Sequence, residues 1–77
     1  MEELLRNLVI ELVDDKDAIK ITTDEPNEEG AIVMHLSVAA DDMGRVIGKQ
    51  GRIAKAIRTI MRAAAGRENK KVLVDID

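Results

Sequence analysis

The stretch RVIGKQGRI, residues 45–53, sets two glycines around a Lys–Gln pair, inside the most basic and most helix-prone part of the chain. Glycine costs about 1 kcal/mol relative to alanine within a helix. Two glycines three apart, Gly48 and Gly51, therefore mark a sharp turn between helical segments rather than a continuous helix. A turn built without Cβ atoms lets another molecule approach its backbone closely.

On either side of this turn the chain is short and simple. Its 77 residues make one domain, 1–77, with a thin core. It holds no cysteine and one histidine, His35, which excludes a disulfide framework and leaves no donor set for a metal. With no cysteine, one histidine on a strand and the acids concentrated in the first half of the chain, no constellation for chemistry is found, so the expectation is a protein that is not an enzyme and needs no cofactor. The start MEELLRNLVIELV, broken by Glu, Arg and Asn, reads as neither signal peptide nor membrane span, and the expected location is the cytoplasm.

The net charge of −3 hides a division. Residues 1–40 carry 3 basic and 10 acidic side chains, a balance of −7; residues 41–77 carry 9 and 5, a balance of +4. Between Gly44 and Arg67 there are seven basic residues and no acidic one. Such asymmetry points to an anionic partner for the second half.

Leu4, Leu5, Leu8, Val9 and Leu12 recur at helical spacing and predict an amphipathic helix ending near Asp14–Asp17. Residues 18–23 and 32–39 alternate as half-buried strands, with Ile32, Met34, Leu36 and Val38 on one face and His35 on the other. Between them the polar residues 24–30 form a loop. Asp41 and Asp42 are suited to capping a short helix. A longer helix spans about 52–65, with Gly66 placed to stop it. Val72, Val74 and Ile76 then share one face of a final strand. The order α-β-β-α-α-β predicts a two-layer α+β domain with helices on one face of a three-stranded mixed sheet. Strands one and two form a hairpin, and the third, after a two-helix excursion, pairs parallel to one of them.

Placed on a wheel at about 100° per residue, Ile53, Ile57, Ile60 and Ala64 fall on one side of the long helix. Arg52, Lys55, Arg58 and Arg62 fall on the other. At its head, Gly48-Lys49-Gln50-Gly51 combines free backbone N–H groups, a helix dipole and a lysine, which suits a phosphate. The spacing of Gly44 and Gly48 is wrong for a P-loop, and Gln50 stands where its hydroxyl residue belongs. A dinucleotide fingerprint fails because the glycines follow a helix, not a strand. A duplex-reading helix-turn-helix fits poorly, since the second helix exposes no Asn or Gln to read adenine.

VIGKQGRI within this element order resembles a K-homology (KH) domain of type II, and GRVIGKQGRIAKAIRTIMRAAA is similar to the small bacterial single-KH proteins of the KhpA family. One departure is Ala54, where many KH domains carry a larger aliphatic. The resemblance covers the whole chain and implies single-stranded RNA held by Gly48, Lys49, Gln50 and Gly51. Val46 and Ile47, with Ile53, would form an apolar floor, flanked by Arg45, Arg52 and Lys55. It also implies a homodimer, a complex with a KhpB (Jag/EloR)-like protein, chaperone-like action on RNA, and a link to cell-wall synthesis and cell-length control. With no aromatic residue for base stacking, a lone module is expected to bind weakly. A second reading takes the alanine-rich helix as a protein-interaction surface, with little RNA binding of its own.

Overall fold

Leu5 and Val9, one helical turn apart, are fully enclosed, and they anchor the first helix, α1 (Glu2–Ile10), to the core. In the computed structural model, which describes residues 1–77, strands β1 (Lys20–Thr23) and β2 (Ala31–Ser37) follow. A short helix α2 (Met43–Ile47), a longer helix α3 (Arg52–Arg67) and strand β3 (Lys71–Ile76) complete the chain. The expected α-β-β-α-α-β order is the observed one. The sheet order is β1-β2-β3, antiparallel between β1 and β2 and parallel between β2 and β3. β3 therefore pairs with β2, and the two-helix excursion is the crossover that a parallel pair requires.

The helices cover one sheet face. Met34, Leu36, Val72 and Val74 point into the layer between them and meet Leu5, Val9, Val46, Ile57 and Met61. On the open face His35, half-buried, lies across from Thr22 of β1 and Asp75 of β3. Its Nε2 is 2.8 Å from an Asp24 carboxylate oxygen and its Nδ1 is 3.3 Å from Asp75. The hydrogen bond to Asp24 raises its pKa, Asp75 adds to this, and partial desolvation opposes it.

Three local expectations are corrected. α1 ends at Ile10 rather than near Asp14–Asp17, and a 3-10 turn, Lys16–Ala18, occupies the remainder of that stretch. Gly66 lies inside α3 instead of ending it. The left-handed residue beyond the helix is Asn69 (φ 58°), with N–H bonds from Asn69 to the Gly66 carbonyl (3.1 Å) and from Lys70 to the Ala65 carbonyl (2.9 Å). That is the paired closure of a Schellman end, with asparagine in place of glycine. Ile60 is 43% exposed, and Met61 is the residue at that level of α3 that is fully buried.

Candidate nucleic-acid interface

The link between α2 and α3 is built from unusual backbone. Gly48 has φ 75° and ψ 175°, a combination essentially confined to glycine. Gln50 (φ 57°, ψ 25°) and Gly51 (φ 76°, ψ 14°) are both left-handed. The Gly48 N–H closes α2 on the Gly44 carbonyl (2.8 Å), and the Gly51 N–H returns to the Gly48 carbonyl (3.2 Å). A Cβ on Gly48 would stand 2.8 Å from Ile53 Cβ and 2.9 Å from the Ile53 backbone nitrogen. Gly48 thus lets the chain fold back against the first turn of α3. Gly51 has open space where its Cβ would be, so there only the backbone angle calls for glycine.

Gly51 supplies no side-chain cap to α3. The first-turn N–H groups of a 16-residue helix therefore lack a side-chain acceptor at the place where Lys49 and Gln50 are exposed. Arg52 leans back over the loop, one guanidinium N–H reaching Gln50 Oε1 at 3.4 Å. Lys55, one turn on, is exposed. The loop, Arg52 and Lys55 therefore form one continuous positive stretch.

Three of the sequence candidates sit differently. Val46 is fully buried and presents no surface to a ligand; its contribution is to pin α2 to the core. Ile47, 39% exposed, remains accessible beside the loop. Ile53 is half-buried, with its side chain occupied by the close approach to Gly48 and by the core. Arg45 is not free: its Nη1 lies 2.6 Å from an Asp14 carboxylate oxygen and 3.7 Å from one of Asp42.

Asp42 was expected to cap α2, but its side chain bonds none of that helix's N–H groups. Its two carboxylate oxygens instead accept the backbone N–H groups of Asp14 (3.2 Å) and Asp15 (3.0 Å). Those two bonds, Asp15 first, hold its pKa below the usual carboxylate value against the opposing effect of burial. Arg58, which the wheel places on the basic face, donates from Nε to the Val74 carbonyl at 3.1 Å. With Arg62, Val72, Leu73 and Val74 it lines an open cleft between α3 and β3. Neither arrangement is visible in sequence, because each depends on residues 16 or more positions apart.

A three-stranded mixed sheet with a helix–Gly-x-x-Gly–helix crossover defines a KH domain of type II. The family described as "KhpA/KhpB, KH domain" matches residues 2–76, and the chain belongs to it. It is 51% identical over 76 residues to the RNA-binding protein KhpA of Clostridium acetobutylicum, covering 99% of each chain. Against the protein of that name from Caldanaerobacter subterraneus it is 49% identical, again with 99% of each covered. The Listeria monocytogenes protein is 47% identical over 99% of this chain and 97% of its own. Among solved structures, the fold matches part of Era, determined in complex with MgGDPNP and nucleotides 1506–1542 of 16S ribosomal RNA. That match has a TM-score of 0.67 at 18% identity, over 96% of this chain and 28% of the Era chain. No helix is long and apolar enough to cross a membrane.

Proposed function

We propose that this protein is a non-catalytic binder of single-stranded RNA that holds the sugar-phosphate backbone over Gly48-Lys49-Gln50-Gly51. The observation that carries the reading is the loop itself. Three positive-φ residues set its shape at the uncapped head of α3, beside exposed Lys49, Arg52 and Lys55. A clamp of this kind holds about four nucleotides in KH domains, and the RNA-binding names of the relatives agree with it. Ile47 offers the accessible apolar surface next to the loop.

Self-association is the second part of the proposal. On the wheel, Ile60 and the exposed Ala56 and Ala63 fall on the flank of α3 away from Lys55, Arg58 and Arg62. Small residues around one exposed isoleucine permit close helix approach, so a homodimer through this flank, bordered by Arg52 and Arg67, would leave Lys55, Arg58 and Arg62 open. Cytoplasmic action as an RNA chaperone with a KhpB-like partner, and a role in cell-wall synthesis and cell-length control, rest on the family relationship alone.

The test is binding of a labelled single-stranded RNA across a salt series, for wild type and for Lys49→Asp combined with Gln50→Asp. Wild-type affinity should fall with salt, and the double variant should bind about tenfold or more weakly. Its circular dichroism and sedimentation should be unchanged. Undiminished RNA affinity in the double variant overturns the loop assignment.

A further inference from the structure

α2 is five residues long, too short to hold a direction by its own hydrogen bonds. Only one of its residues, Val46, is fully buried. Yet this helix delivers the chain into Gly48, so its orientation sets that of the loop. What fixes its other end is a polar junction. The carboxylate of Asp42, 3% exposed, takes the Asp14 and Asp15 N–H groups, one on each oxygen. Arg45, one turn into α2, closes the junction by bridging the Asp14 carboxylate at 2.6 Å and the Asp42 carboxylate at 3.7 Å. Next to it, Lys16 Nζ donates to the Val13 carbonyl at 3.0 Å, folding the same connector onto itself.

Resting on the proposed RNA reading, we infer that Arg45 and Asp42 are positioning residues, which aim the Gly48–Gly51 loop by locking α2 to the α1–β1 connector and touch no RNA themselves. The alternative role for Arg45, contact with a phosphate, would require it to leave two carboxylates. Its departure would leave the Asp14 carboxylate unpaired and take a positive neighbour from Asp42, whose charge is otherwise held by the Asp14 and Asp15 N–H groups. An arginine side chain on a helix also leans toward the N-terminus, here toward Asp42 and away from Gly48. Lys49, by contrast, is exposed at the loop itself.

Salt dependence separates the two roles, because the slope of log K against log salt counts phosphates neutralised, at about 0.7 per contact for single strands. Binding of a labelled single-stranded oligoribonucleotide is measured over a salt series for wild type, Lys49→Gln, Arg45→Gln and Asp42→Asn. Lys49→Gln should lower the slope by about 0.7. Arg45→Gln should keep the wild-type slope while affinity drops several-fold at every salt concentration, and Asp42→Asn should behave alike. Amide hydrogen exchange of the RNA-free proteins adds a second readout. Arg45→Gln, an exposed change that leaves the core untouched, should speed exchange at residues 48–51.

A slope lowered by about 0.7 in Arg45→Gln overturns the inference and makes Arg45 a phosphate ligand. Unchanged affinity together with unchanged loop exchange in that variant also overturns it. A Lys49→Gln protein with wild-type slope and affinity instead removes the underlying RNA reading, whatever Arg45 does.

Discussion

Gly48 and Gly51 look equivalent in the sequence and are not equivalent in the fold. Gly48 meets two demands, a backbone region essentially confined to glycine and the approach of Ile53, whereas Gly51 answers only to the milder left-handed region that Gln50 also occupies. Gly51→Ala should therefore cost about 1 kcal/mol, the ordinary penalty of a left-handed alanine. Gly48→Ala should cost about 2–4 kcal/mol, because strain and overpacking add. Urea denaturation of the two variants measures the difference, and equal losses would mean that Ile53 yields freely. Gln50, between them, carries the same left-handed strain with a side chain in place. Its φ is not legible in sequence, since glutamine has no local bonding habit that would betray it. Asn69 is the opposite case, a residue type that tolerates positive φ, which the more conspicuous Gly66 three positions earlier concealed.

At the scale of the element, α3 shows where a helical wheel misleads. Ranking its positions by hydrophobicity puts Ile53, Ile57 and Ile60 at the centre of the buried face. The true centre lies between Ile57, Met61, Ala54 and Ala65, all at most 5% exposed. Alanines at 54 and 65 are buried beside Ile57 and Met61, so the inward face of α3 is centred on residues that a hydrophobicity ranking passes over. Ile60 lies on the flank, 43% exposed. Met61→Ala should cost about 2–5 kcal/mol, as for other fully buried large side chains. Ile60→Ser should change monomer stability by less than about 0.5 kcal/mol and weaken self-association. Chemical denaturation and sedimentation equilibrium check the pair. A large stability loss in Ile60→Ser would restore the wheel's assignment.

At the scale of the molecule, the three strands are tied on their open face by one side chain. His35 of β2 reaches Asp24 just beyond β1 and Asp75 of β3. A protonated imidazole donates to both carboxylates, while a neutral one must turn an unprotonated nitrogen toward one of them. The folded state thus binds the proton more tightly than the unfolded chain, whose histidine keeps its ordinary value of 6.5. The stabilisation is fully present below that value and is lost as pH rises through the raised folded one. Stability should accordingly decline as pH rises above the ordinary histidine value of 6.5, and His35→Gln should flatten this decline. Thermal melts at fixed ionic strength would show it, and an identical decline in the variant would assign the titration elsewhere. Element order, the buried and open faces of each strand and the glycine loop were all legible in the sequence, because each follows from local periodicity or residue type. The Asp42 junction, the Arg58 bond to β3 and the His35 clasp were not. Each joins polar groups from separate elements, and such pairs leave no periodic trace.

A loop whose shape is already set by three positive-φ residues has little freedom left to lose on contact. On the proposed RNA reading, capture would then proceed at a rate set by diffusion and charge, with no slow rearrangement to wait for. No aromatic platform exists to prolong the stay. On that reading the combination would favour brief occupancy, in which one copy visits many strands in succession rather than remaining with any of them.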